Sequence, residues 1–140
     1  MSSGKLVKYI QGANKTDKKM YCLIGKFAIS AKVHNELGVA VTGNDGDAWY
    51  FWFDLRDNPY GFCNVRYTKD NQCHVRLLYA EAMETTIKNE LLTWVIDDAI
   101  KAESLLVFTN DRENNGFWKL FNFVPGEKKR GTFVRWEKKL

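Results

Sequence analysis

Five aromatic residues stand in a row at Trp49-Tyr50-Phe51-Trp52-Phe53. In an extended strand successive side chains point to opposite faces, so such a run leaves large apolar surface on both sides unless both are covered. The run therefore belongs in the middle of a sheet that carries a packed layer on each face. Downstream, Arg56-Asp57-Asn58-Pro59 reads as a turn into a strand at 60–68, and Lys69-Asp70-Asn71 as a turn into another at 73–82. Connections of about four residues join antiparallel neighbours, because parallel ones need a crossover of a dozen residues or more. Residues 49–82 thus read as an antiparallel meander.

The clearest helical periodicity follows. Ile87, Leu91, Val95 and Ala99, with Leu92, Ile96 and Ile100, fall on one stripe, while Lys88, Glu90, Thr93, Asp97, Asp98 and Lys101 face away. This predicts a helix over 85–102. The apolar strand at 105–109 is reached through that helix, which predicts that it lies parallel to the 73–82 strand, and an extended ligand fits where two such strands diverge. Phe117, Trp118, Leu120 and Phe121 suggest a short aromatic helix over 115–121, Pro125-Gly126 a turn, and 132–136 a last strand with Phe133 on one face and Val134 and Trp136 on the other. A split of the final segment into two strands around 125–130 is the variant of this reading.

Before the aromatic run, residues 5–10 alternate as a first strand with Leu6, Tyr9 and Ile10 available for burial. Asn14 or Thr16 can cap a following helix in which Met20, Leu23, Ile24 and Phe27 recur at helical spacing. We expect a break near Gly25, a second helix over 27–37 and a left-handed cap at Gly38. Val39 and Val41 suggest a short strand before the turn at Gly43-Asn44-Asp45-Gly46. His34 falls on the second helix and is expected to be inert.

A chain of 140 residues with 45% hydrophobic and 14% aromatic side chains suffices for one domain, 1–140. Most of its aromatics serve as core residues, and the remainder are available to line a groove or an interface. Three cysteines with no C-x-x-C spacing argue against a disulfide scaffold and a zinc ribbon, and for a reducing, cytoplasmic setting. The two histidines and scattered carboxylates show no metal-ligand spacing, so no metal is expected. No apolar run is long enough to span a bilayer.

The net charge of +4 conceals a pattern. Residues 1–35 carry seven Lys against one Asp, residues 117–140 seven Lys or Arg against two Glu, and the acidic middle seven basic against fourteen acidic side chains. The two ends are either solvated faces or, if the fold joins them, one basic surface for an anionic partner.

In this order of elements the chain resembles the GNAT superfamily of acyl-CoA-dependent N-acyltransferases over nearly all of its length. The resemblance is carried by Trp49 opening the second strand, by Gly61-Phe62 in the third and by His74-Val75-Arg76-Leu77-Leu78-Tyr79-Ala80-Glu81 in the fourth. Further along it is carried by Leu91-Leu92 on the central helix, by Val107-Phe108-Thr109-Asn110, by Phe117-Trp118-Lys119-Leu120-Phe121-Asn122-Phe123, similar to the family's F-Y-x-K-L-G-F, and by Arg135-Trp136-Glu137-Lys138-Lys139-Leu140. Small, aromatic-rich chains of this kind also resemble phage-encoded members, among them the DNA-modification proteins of the Mom type. The resemblance implies an α/β (α+β) fold: a mixed, mostly antiparallel sheet with a central parallel βαβ splay and helices on both faces.

It also implies a site. Acetyl-CoA or another acyl-CoA would lie between the splayed strands, its pantetheine paired to the backbone near Leu78 and Ala80, with Asn110 following the fifth strand. The family's R-x-x-G-x-G/A loop, which cradles the CoA pyrophosphate, falls here on Met83, Thr86 and Lys88, none of which matches. The implied replacement is a set of backbone amides from Met83 to Lys88, helped by the side chains of Thr86 and Lys88. Trp118 stands where many members place a thiolate-protonating Tyr, which leaves Tyr79 or a water as acid, and Glu81 is the implied base, or else a charge partner for the helix N-terminus. In the GNAT arrangement the first helices and final strands flank the acceptor groove. The acceptor side would then include Lys15, Lys18, Lys19 and Lys26 at one end and Lys128, Lys129 and Arg130 at the other, implying an anionic acceptor, nucleic acid first and an acidic protein surface second. A non-catalytic binding protein on the same fold, holding nucleic acid or a protein partner, is the alternative.

Overall fold

The computed structural model describes residues 4–12, 18–99, 102–110, 116–128 and 133–140. Its strands are β1 (Gly4–Ile10), β2 (Ala48–Asp54), β3 (Pro59–Tyr67), β4 (Gln72–Ala80), β5 (Ser104–Asn110), β6 (Val124–Lys128) and β7 (Phe133–Lys139), and its helices are α1 (Lys18–Ala28), α2 (Ala31–Leu37), α3 (Thr85–Asp98) and α4 (Gly116–Leu120). One seven-stranded sheet has the order β1-β2-β3-β4-β5-β7-β6. Among the described residues only β4 and β5 run parallel; every other neighbouring pair is antiparallel.

The aromatic run is covered on both sides, as its composition requires. Trp49 and Phe51 join Met20 and Phe27 of α1, Val33 of α2, and Phe62, Leu77 and Tyr79 in the layer on one face. Tyr50 and Trp52 pack on the other with Ile87, Leu91, Leu92 and Val95 of α3, Trp118 of α4 and Trp136 of β7. The α3 stripe matches the periodicity from Ile87 to Ala99, with Ile100 and Lys101 outside the described residues; Glu90 and Asp98, expected to face away, instead accept from the Trp52 indole and the Tyr50 hydroxyl. The far end of the helix is anchored by Asp98, whose Oδ2 accepts from the Tyr50 hydroxyl at 2.7 Å and from Lys8 Nζ at 2.6 Å.

Several boundaries differ from the sequence expectation, each for a local reason. The break between the first helices falls at Ile29 and Ser30, not near Gly25, because Ser30 Oγ accepts the Val33 amide at 3.3 Å and starts a new helix. The His34 ring donates at 2.7 Å to the carbonyl of Ala28, at the end of α1, a structural role. Gly38 has the expected left-handed cap, φ 74°. Val39 and Val41 form no strand, and only Val41 is buried. Ile10 lies on the edge strand and stays 38% exposed. β4 stops at Ala80; Glu81–Met83 is a 3-10 turn in which Ala82 takes φ 55°, so Glu81 is not a strand residue. α3 ends at Asp98, four residues early, where the Ala99 amide bonds to the carbonyls of both Val95 and Ile96. Pro125 and Gly126 lie within β6, and the final segment is two strands. Asn14 and Thr16 lie outside the described residues.

Candidate functional site

The register of β3 against β4 defines the site. Asn64 and Val65 are consecutive on β3, yet they face Leu77 and Val75 on β4, so Arg76 is an extra residue, a β-bulge. A bulge reverses which face later side chains occupy. Cys73 and Val75 pack on the α3 side, whereas Leu77 and Tyr79 pack on the side of α1 and α2. Parallel pairing of β4 with β5 ends at the same point, its last pair being Val75 and Val107. Beyond it β4 stays with β3 as far as Ala80, and β5 stays with β7 as far as Asn110, so the two strands part. Along residues 77–80 alternate positions turn both N–H and C=O away from β3, toward the gap.

At the end of the gap α3 begins. The Glu84 amide donates to the Glu81 carbonyl at 3.1 Å and the Lys88 amide to the Glu84 carbonyl at 3.2 Å. The expected cradle of amides from Met83 to Lys88 therefore narrows to Thr85, Thr86 and Ile87, the first-turn donors that have no intrahelical acceptor. They point where a helix favours an anion, but the N-cap is Glu84, whose side chain makes no capping bond. An acyl-CoA fits this frame at two points: open backbone along β4 suits the pantetheine, and the free amides suit a phosphate, with the Glu84 carboxylate weakening the second.

Tyr79 is fully buried beside the gap, and α2 packs on β4 there. Its hydroxyl and Glu36 Oε2 are both buried with no hydrogen-bond partner among the described residues. Burial, then the neighbouring Glu81 and Glu36 carboxylates, push the Tyr79 phenol up to about 12, so it stays protonated at neutral pH; Glu81 stands close enough to favour the protonated hydroxyl, though not in hydrogen-bond geometry. Burial also raises the Glu36 carboxyl above its ordinary 4.5, opposed by Lys88 and Lys32 and reinforced by Glu81. Glu81 itself is paired with Lys32, Oε2 to Nζ at 3.3 Å. Helix α2, strand β4, the 3-10 turn and the start of α3 thus bring together Glu36, Lys32, Tyr79, Glu81 and Lys88. A carboxylate shifted toward neutrality in a partly buried cluster can accept a proton from an incoming group.

The other expected residues are placed as follows. Leu78 and Ala80 pack on the α3 side. Thr86 is exposed, Lys88 is half-buried with its charge acting on Glu36, and Met83 lies in the 3-10 turn. Asn110 pairs with Phe133 through the backbone. Trp118 is buried against Phe117 and Phe123 on the α3 side, across the sheet from Tyr79, so Tyr79 does not occupy its place. Lys18, Lys19 and Lys26 are exposed on α1, and Lys128 ends β6. Lys15, Lys129 and Arg130 lie outside the described residues.

Sequence reasoning missed Glu36. One signal was available: it lies in the last turn of a short helix, where the helix dipole disfavours a carboxylate. Arg76 carries no signal in the sequence beyond its place in a strand.

A seven-stranded mixed sheet with one parallel pair that parts at a bulge, and helices on both faces, is the GNAT fold. An acyl-CoA N-acyltransferase from Pseudomonas aeruginosa superposes with a TM-score of 0.73 at 8% identity, over 97% of this chain and 99% of that one. An acetyltransferase from Thermus thermophilus gives 0.71 at 15% identity over 100% of both chains. A GNAT family acetyltransferase from Elizabethkingia anophelis, solved with acetyl-CoA bound, gives 0.63 at 11% identity, again over 100% of both. No protein-family model and no curated protein matches the sequence. At these identities the likeness establishes the fold. Among the described residues no helix is long and apolar enough to cross a membrane, and no cluster of three or more His, Cys, Asp or Glu side chains could hold a metal ion.

Proposed function

We propose that this chain is a divergent acyl-CoA-dependent N-acyltransferase that works at the parting of β4 and β5. The observation that carries the proposal is the buried, unpartnered Glu36 carboxylate oxygen beside Tyr79 at that gap. Acyl-CoA supplies a thioester whose thiolate is a competent leaving group. Glu36 takes a proton from the attacking amine, a role open to it because burial holds its carboxyl closer to neutrality. Glu81, tied to Lys32, supports that proton acceptor electrostatically; this moves the role of base from Glu81 to Glu36. Tyr79 keeps its proton and can donate a hydrogen bond toward the reacting atoms. The amides of Thr85, Thr86 and Ile87 hold phosphate.

Titration calorimetry with acetyl-CoA, followed by a thiol-release assay over a panel of primary amines, tests the proposal. Binding at micromolar to millimolar concentration and amine-dependent thiol release are expected. No heat with acetyl-CoA or any longer acyl-CoA would reject it.

A second reading rests on a different observation. Arg135, Lys138 and Lys139 line a shallow depression of about 500 Å³ beside β6 and β7, where Glu137 pairs with Arg135 at 3.4 Å and leaves the two lysines as the excess charge, and exposed lysines cover α1. These favour an anionic acceptor, nucleic acid before an acidic protein, or a non-catalytic nucleic-acid binder on the same fold.

A further inference from the structure

The extra residue on β4 is held by a buried polar cluster that no step of the proposed chemistry uses. Asp47 is 1% exposed and Asn64 fully buried. Arg66 grips both oxygens of Asp47, Nε to Oδ1 at 2.7 Å and Nη2 to Oδ2 at 3.0 Å. The Asn44 amide and Asn64 Nδ2 donate to Oδ2 as well, at 3.0 and 3.3 Å. Into this cluster the bulged residue sends its guanidinium: Arg76 Nη1 lies 2.7 Å from Asn64 Oδ1, 2.8 Å from the Thr42 carbonyl and 3.4 Å from Asp47 Oδ2.

We propose that Arg76, locked by Asp47, Asn64 and Thr42, is a positioning residue that fixes the β4 bulge and so assigns Tyr79 to the face of the sheet that holds Glu36. Strand parity decides which face each side chain takes. In a regular strand residues 73, 75, 77 and 79 share one face, and Cys73 and Val75 are on the α3 side. Without the bulge, Tyr79 would turn to that side and Leu78 would turn to Glu36. A slip of one residue exchanges the faces of every side chain beyond it, and the bulge is such a slip made permanent. A planar fork is suited to pinning it, since a single guanidinium reaches β3 and the loop before β2 at once.

The catalytic significance of this placement rests on the acyl-transfer proposal; the clamp itself does not. The test is therefore made without acyl-CoA. In the wild-type protein the Tyr79 ring lies 5.9 Å from that of Phe27 and 5.8 Å from that of Phe62, centroid to centroid, and nuclear Overhauser contacts between these rings report the face. In Arg76→Ala those contacts should be lost, with the amide shifts of residues 77–80 displaced while those of the two edge strands, β1 and β6, stay in place. Asp47→Asn, which keeps the shape and removes the charge, should weaken the same contacts and serves if Arg76→Ala does not fold. Lys8→Ala, which removes an ion pair elsewhere, should leave them intact. Tyr79 contacts to Phe27 and Phe62 that persist unchanged in both clamp variants overturn the proposal. Wild-type protein that binds no acetyl-CoA overturns the acyl-transfer proposal and leaves this test standing.

Discussion

Gly61 and Ile87 are in contact with no room for a side chain between them: a Cβ on Gly61 would stand 2.8 Å from Ile87 Cγ2 and 2.8 Å from the Tyr79 carbonyl oxygen. That approach seats the first turn of α3 on β3 beside the gap. Gly61→Ala should cost about 1–3 kcal/mol by overpacking, read by urea unfolding. Gly25→Ala is the control, since a Cβ there meets nothing within 4 Å and the site is inside α1; it should stabilise by roughly 0.5–1 kcal/mol. Equal effects at the two sites would show that α3 is not seated by close approach.

Glu36→Gln separates stability from activity. A carboxyl whose value is raised by folding contributes stability below its unfolded value and loses it as pH rises through the folded one, so the native Glu36 is a burden at neutral pH. The variant should melt higher than the wild type at pH 7–8, and the advantage should vanish below about pH 4.5. Acyl transfer should fall by about 10²–10⁴-fold, the usual contribution of a general base. Transfer that survives the substitution would return the role of base to Glu81.

Asp47 governs the acid limb. Burial alone would raise its carboxyl, but hydrogen bonds from Arg66, the Asn44 amide and Asn64, and the Arg66 charge, hold it below its ordinary 3.8. Such a group contributes stability above the unfolded value and loses it as pH falls through the folded one. Wild-type stability should therefore drop between about pH 4 and 2, and Asp47→Asn should flatten that limb while costing roughly 3–5 kcal/mol at pH 7, because two arginines lose their carboxylate. Denaturant midpoints across that range decide the matter, and an acid limb of unchanged slope in the variant contradicts the assignment.

The nucleic-acid reading makes a prediction in salt. If DNA is bound through the exposed lysines, affinity should fall linearly on a log-log plot against salt, and Lys18→Glu with Lys19→Glu should reduce the slope by about two phosphate contacts. No binding at about 50 mM salt removes nucleic acid from consideration.

The sheet was legible where local chemistry had one solution. Five consecutive aromatics demand two covered faces, short turns demand antiparallel neighbours, and the apolar stripe of α3 demands a crossover. The bulge was not legible, because apolar residues at 73, 75, 77 and 79 alternate as they would on a single face, and only the pairing with Asn64 and Val65 reveals that two of them have changed sides. The break before α2 was missed for a similar reason: Gly25 is the obvious breaker, but the hydroxyl of Ser30 makes the new cap. Glu36 became conspicuous only when folding brought Glu81 and Lys88 to it from other elements.

β2 has a consequence for how the molecule comes apart. Trp49 and Phe51 anchor the layer of α1 and α2, and Tyr50 and Trp52 anchor the layer of α3. One strand is thus a keel common to both hulls, and neither layer can lift away without baring rings on which the other is built. Partial opening should be confined to the margins, at β1 and β6. The slowest-exchanging amides on the two sides of the sheet should then report one and the same opening, the global one.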